Sequence, residues 1–178
     1  MTIDDGSGYD QDGYDRDGFD QAGADGDGDG AEVAEGIEQS GRPRVEATGF
    51  VAAPPSDVWA LWTEPDELAR WWWPMFDDTR YELDPREGGW YRFRTAEGGF
   101  GVQGSFVELV PGERLVLTWD WLAGQEAAAP TELVTVVLEE LDDGTLVRVS
   151  QTARADEVEQ LEQGWSDTLT RLEELLDD

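Results

Sequence analysis

Beyond residue 43 the chain is written in two periodicities. Short runs alternate apolar and polar residues at 44–51, 80–83, 90–95, 100–110, 114–121, 133–138 and 146–152. This is the pattern of strands with one buried face. Gly88 and Gly89, Gly98 and Gly99, Pro111 and Gly112, and Asp142 to Gly144 supply turns between them, and 124–130 reads as a loop. Between the first two strands the period changes. Pro54 to Asp57 starts a helix, with Ser56 or Asp57 as its cap, and Val58, Trp59, Leu61 and Trp62 form its apolar stripe. Thr63, Glu64, Pro65 and Asp66 stop that helix and start a second short one over 65–71, with Pro65 in its first turn. The second helix runs into Trp71, Trp72, Trp73 and Pro74. The last segment, 156–176, sets Leu161, Trp165, Leu169, Leu172 and Leu176 at spacings of four, four, three and four, one face of a helix.

This order predicts an α+β domain of two layers, an antiparallel sheet of about six or seven strands with one face covered by the only long helix. Alternation also sorts the side chains. Leu115, Leu117, Trp119 and Trp121 share the inward face of their strand, and Asp120 opposes them. Tyr91 and Phe93 point inward against Arg92 and Arg94, which read as a solvated face. Val147, Val149 and Gln151 share a parity; Gln151 is a polar handle for a ligand or a satisfied structural amide. For 100–110, the set of Gly104 and Phe106 and the set of Val107 and Leu109 are equally good inward faces. Of the nine Trp, Trp59, Trp62 and Trp71 are assigned to packing the short helices, while Trp119, Trp121 and Trp165 face the space between sheet and lid helix.

Residues 1–42 have another texture. Tyr9, Tyr14 and Phe19 recur at a period of five, which fits neither helix nor strand, and an Asp-Gly run follows at 25–30. Gly is costly to order and Asp at this density repels itself, so the segment is read as a disordered acidic tail on a domain spanning 43–178. Asp25, Asp27, Asp29 and Gly30 imitate the first half of an EF-hand loop, but its twelfth position, where a Glu is needed, is Gly36.

Composition narrows the chemistry. The chain has no Cys and no His, and all 12 of its basic residues are Arg. Disulfides, thiolate catalysis, His general-base chemistry and Schiff-base lysines are thereby excluded. The net charge of −30 argues against nucleic acid and anionic membrane as partners. Residues 1–42 carry 13 acids and 2 Arg, so more than half of the excess charge lies on the domain itself, a halophile-like surface whose self-repulsion is screened over about 3 Å at 1 M salt. The opening MTIDDGSGYD has neither a basic start nor an apolar core, and no apolar run is long enough to span a bilayer, so the expected location is the cytoplasm. Glu108 and Asp120 are the strand carboxylates to weigh for acid–base work.

The motifs TEPDELARWW, GGWYRF, GSFVELVPGERLVLTWDW, DDGTLVRVSQT and GWSDTLTRLEELL occur in this order. Together they resemble the START-like (SRPBCC) superfamily, in the branch named for the C-terminal domain of the activator of the heat-shock-protein-90 ATPase, over 45–176. The resemblance implies a helix-grip fold, a curved sheet wrapped around the last helix with an apolar cavity between them. Where relatives often carry a His near the end of the last strand, this chain has Gln151. The expected activity is non-catalytic binding of a small apolar molecule by Tyr91, Phe93, Leu117, Trp119, Trp121, Val149, Gln151, Trp165 and Leu169, without metal or cofactor. The alternatives are a co-chaperone-like protein-interaction module and a cyclase/aromatase-type enzyme, in a monomer or a dimer.

Overall fold

The computed structural model describes residues 29–177, apart from 125 and 128–130. Its elements run α1 (Asp29–Gln39), β1 (Arg44–Val51), α2 (Pro55–Thr63), α3 (Pro65–Leu68), β2 (Arg80–Leu83), β3 (Trp90–Thr95), β4 (Phe100–Val110), β5 (Arg114–Ala123), β6 (Glu126–Ala127), β7 (Glu132–Leu141), β8 (Gly144–Thr152) and α4 (Val158–Leu175). The strands form one antiparallel sheet in the order β1-β8-β7-β5-β4-β3-β2, with β6 paired to β5. Helix α4 lies across the inner face and packs most closely on β1. This is the two-layer arrangement that the order of periodicities predicts, and the helix-grip fold that the resemblance implies. Among the described residues no helix is long and apolar enough to cross a membrane.

Proline sets the break between α2 and α3. Pro55 occupies the first turn of α2, where its missing N–H costs nothing. Glu64 precedes Pro65 and is extended (φ −112°, ψ 130°), as steric pressure from the proline ring demands. α3 then ends at Leu68 instead of continuing to 71. Arg70 N–H bonds Glu67 O and Trp71 N–H bonds Leu68 O, three residues back. Trp72 N–H bonds the same Leu68 O, and Trp71 and Trp72 are both inside, 1% and 4% exposed.

The sheet settles the ambiguity in β4. Register shifts between Phe106 and Glu108, a bulge against β5. The bulge reverses parity, so Phe106 faces inward before it, Val107 faces outward at it, and Leu109 rejoins the main core after it. β6 falls inside the span read as a loop. β7 continues past 138 to Leu141 because the pairing of Glu139, Glu140 and Leu141 with β8 needs backbone groups only, not apolar side chains.

The acidic segment does not run unstructured to 42, since 29–39 is helical. The period-five repeat lies outside the described residues, as do Asp25 and Asp27, and the stretch that would complete an EF-hand loop is helix α1. The helix carries few apolar residues, so its stability comes from docking: Ala34 and Ile37 bury against Val107, Val116 and Leu133 on the outer face of the sheet. The following linker is tied down by Arg42, which donates to Thr131 O at 3.1 Å and pairs with the buried carboxylate of Glu132 at 3.1 Å.

Candidate functional site

The space between sheet and α4 is built from both sides. On the helix side, α4 approaches β1 closely enough that a Cβ on Gly49 would lie 3.2 Å from Leu169 Cβ. Glu173 Oε1 accepts the edge N–H of Phe50 at 2.7 Å. Trp165 Nε1 donates to Gln151 Oε1 at 2.7 Å, so the lid helix is bonded to β8 through two buried side chains. Arg171 donates from Nε to Trp71 O and from Nη2 to Trp72 O, each at 3.1 Å, clasping the triple-Trp segment from the other side of the chain. Half-burial of that guanidinium lowers its pKa from the ordinary arginine value. On the sheet side, Tyr91 lies across Gly104, where any Cβ would collide with the ring and with Thr118 O. The absence of a side chain there lets Tyr91 Oη donate to Thr118 O at 2.5 Å.

At the centre stands Trp72. Its ring lies 5.9 Å from Trp62, 5.1 Å from Trp71, 5.7 Å from Phe93, 5.9 Å from Trp119 and 5.9 Å from Trp165, centroid to centroid, mostly edge to face. Such contacts suit the ring quadrupoles and each adds roughly 0.5–1.5 kcal/mol beyond area burial. Large flat rings cannot interdigitate as completely as branched aliphatics, and a void of about 20 Å³ remains among Trp62, Trp72, Tyr91, Phe93, Trp119 and Trp165, closed by aliphatic side chains from α3 and the sheet. That volume is on the scale of one water, which needs about 10–15 Å³. It is far below the roughly 300–1,000 Å³ of a pocket holding a drug-sized molecule. A wider open depression of about 480 Å³ lies outside, between the β1–α2 corner and the end of α4, where Asp57, Glu64 and Glu67 mix with Ala52 and Leu176.

Of the residues singled out in the sequence, Tyr91, Phe93, Leu117, Trp119 and Trp165 line the void. Val149 and Leu169 are buried beside it in the aliphatic core. Gln151 is buried but committed to Trp165, the structural amide rather than the open handle. Trp121 does not face the closed interior: it lies on the inward side beyond the reach of α4 and is 42% exposed. Reasoning from sequence missed Trp62 and Trp72, together with Leu68, Phe106, Leu115 and Val134. A run of three Trp after a four-residue helix is the one signal that could have pointed to Trp72.

Trp121 belongs to a second aromatic group at the rim. Its ring is 6.1 Å from Trp73 and 6.0 Å from Phe100, and Phe76 lies 5.5 Å from Phe100. Met75, 56% exposed, is carried by the same loop as Phe76. Trp119 touches Trp121 at 6.1 Å and Trp72 touches Trp73 at 6.3 Å, so rings are continuous from the surface to the void.

The wall contains little that could move a proton. Tyr91 is the one hydroxyl among the lining residues; burial pushes its pKa well above the usual phenol range, and its proton is engaged by Thr118 O. Glu108 pairs with Arg114 at the surface, and Asp120 accepts a hydrogen bond from Thr131. Glu132, the buried carboxylate, is held by Arg42 and by Thr152 Oγ1.

Solved structures share this architecture. DynU16, from the dynemicin biosynthetic locus, is 24% identical with a TM-score of 0.65 over 75% of this chain, which spans 47% of that protein's length. A protein from Mesorhizobium loti is 26% identical with a TM-score of 0.63, covering 76% of this chain and 97% of its own. A protein from Chromobacterium violaceum is also 26% identical, with a TM-score of 0.61 over the same shares. No curated protein matches the chain. The family described as activator of Hsp90 ATPase homolog 1-like protein matches residues 52–177, from the end of β1 through α4. The chain is therefore a member of the activator of Hsp90 ATPase homolog 1-like family, within the START-like superfamily.

Proposed function

We propose that this domain binds a small apolar molecule between its sheet and α4, without catalysing a reaction on it. One observation carries the reading: an internal void walled by rings, joined to the surface by further rings. The void is a contracted site, and a ligand enters by displacing side chains of the 69–79 segment. That segment has little regular structure, and its Trp-bearing stretch is held by Arg171 and by Tyr81, whose Oη accepts the N–H of Trp73 at 3.2 Å. The fully engaged Tyr91 and the outward or paired carboxylates favour binding over proton transfer. The relative from the dynemicin biosynthetic locus fits a small-molecule ligand, but its identity with this chain is too low to carry a substrate. The test is mass spectrometry of an organic extract of the protein purified from its native cells, with Trp119→Ala/Trp165→Ala as control. A stoichiometric apolar compound in the native protein alone supports the reading; an extract without one, from well-folded protein, refutes it.

A second reading rests on the rim. Exposed Met75 and Trp121, with half-buried Phe76 and Phe100, form an apolar surface suited to a protein partner, in the manner of a co-chaperone. A Phe76→Ser/Trp121→Ser variant that keeps its ligand but loses a partner in pull-down would favour it.

A further inference from the structure

On the side of the sheet away from α4, positive charge gathers on a chain whose net charge is −30. Tyr91 and Phe93 are buried inward, so Trp90, Arg92 and Arg94 lie on the outer face of β3. Register sets Arg80 opposite Arg94 and Glu82 opposite Arg92. Like charges directly opposed across two strands repel. Glu82, 3.8 Å from Arg94, is their one ion-pair partner among the described residues. Arg80 and Arg92 have none there, although 42 of the 178 residues are acidic. Arg92 Nε is buried without an acceptor among the described residues. Burial, with Arg94 beside it, lowers the Arg92 pKa from the ordinary arginine value. Trp90 borders the group and is 44% exposed.

Helix α1 delivers the start of the chain to this face. Its following linker is fixed at the start of β7, where Arg42 bonds Thr131 O and Glu132. Its first turn lies over β4: a Cβ on Gly30 would stand 3.5 Å from Ser105 Cβ and 3.9 Å from Val107 Cγ2. Ser105 is registered with Trp90, and β3 and β2 come next in the sheet. Residues 1–28 therefore join the domain at the border of the arginine face. They carry nine Asp and one Arg, with Tyr9, Tyr14 and Phe19 interleaved. From β4 to β2 is two strand spacings, about 10 Å, and ten extended residues span about 33 Å. We infer that residues 9–27 dock on the outer face of β2 and β3, with Asp carboxylates on Arg80 and Arg92 and a ring against Trp90. Exposed ion pairs are individually weak, but tethering at α1 holds many carboxylates close to the face. The acidic remainder of the surface repels the segment. An acidic chain from outside would have to displace it from the face.

Because the chain has no Cys, Ala22→Cys gives a single site for a nitroxide spin label in the full chain. In 15N spectra at about 0.1 M salt, where charges act over about 10 Å, amide signals of β2 and β3 and the Trp90 indole should lose most of their intensity. Signals of β1 and β8, at the other edge of the sheet, should keep theirs. At about 1 M salt, with screening over about 3 Å, the lost intensity should return. Arg80→Gln/Arg92→Gln should restore it at the lower salt too, and unmoved β1 and β8 signals in the same spectra show that this variant is folded. Broadening that persists through both changes comes from a segment merely passing its attachment at α1, and overturns the docking. Absence of broadening overturns it as well and leaves the arginine face to an outside acidic partner. Mixing spin-labelled protein with 15N protein that carries no label tests the remaining case. Broadening in that mixture places the segment on a second copy and overturns its assignment to its own chain.

Discussion

Beneath α4, strands β1, β8 and β7 bury Val45, Val51, Val136, Val147 and Val149 against Leu169 and Leu172, whereas β3, β4 and β5 bury rings against Trp62, Trp72 and Trp165. The aliphatic half also answers its polar groups. Thr145 Oγ1 donates to Ala53 O at 2.7 Å, Gln151 takes the Trp165 N–H, and Thr152 links Leu133 N–H to the Glu132 carboxylate. The aromatic half leaves a void, and two donors without an acceptor among the described residues. One half of a single core is thus a close-packed frame, and the other carries the proposed site. Packing and polar satisfaction separate them more sharply than burial does, since side chains in both are almost fully enclosed.

The comparison can be tested in order of expected effect. In the frame, Leu172→Ala should cost about 2–5 kcal/mol in urea unfolding, because the close-packed aliphatic side has little room to collapse. A loss below about 1 kcal/mol would place slack in the frame and erase the distinction. Gln151→Leu should cost roughly 1–3 kcal/mol by leaving the Trp165 N–H buried without a partner, and Trp165→Phe in that background should cost less than it does alone. Simple additivity in this cycle would break the link between lid helix and frame. Trp71→Phe should be the more damaging of two like substitutions, by roughly 1 kcal/mol over Trp72→Phe. The first deprives Leu61 O of its donor, while the second removes a donor that already lacks a partner. Equal losses would mean that the Trp72 N–H is satisfied in solution.

The smallest effect lies at the far edge of the aromatic half. Asp78 accepts from Thr95 Oγ1 at 2.7 Å and from the N–H groups of Ala96 and Glu97 at 2.9 Å, securing the β3–β4 turn. The Thr95 hydrogen bond, aided by that of Glu97, holds its pKa below the ordinary aspartate value of 3.8. A depressed folded pKa contributes stability that is complete above the unfolded value and is lost as pH falls through the folded one. Asp78→Asn should therefore remove that contribution at neutrality, converge with the unaltered protein at low pH, and so flatten the acid limb of the stability–pH curve below about pH 3.8. An unchanged acid limb would remove Asp78 from the account.

The frame was more legible in the sequence than the site. Two-residue alternation reports a sheet with one buried face, and it placed β1 to β4 with the ends they have in the structure. It could not show α1, because Ala34 and Ile37 are too few to mark an amphipathic helix until the outer sheet face supplies their partners. It placed Trp121 with Trp119 and Leu117 because parity is a property of a strand, while coverage depends on where α4 stops. Trp72 was passed over because its position depends on a short helix ending at Leu68 and on Arg171, some hundred residues later. Sites assembled from turns and distant clasps leave weak traces in local periodicity.

The contact between Glu173 and Phe50 has a consequence for association. β1 is a sheet edge eight residues long, the sort of edge on which a strand from another molecule can pair. The Glu173 carboxylate already holds one of its outward N–H groups and puts a negative charge beside the row. A second copy adding a strand there would have to displace that carboxylate first. The opposite edge, β2, is only four residues long. The open sheet is thereby guarded at one end by an anion and at the other by brevity, and growth into longer stacks of strands is discouraged at both.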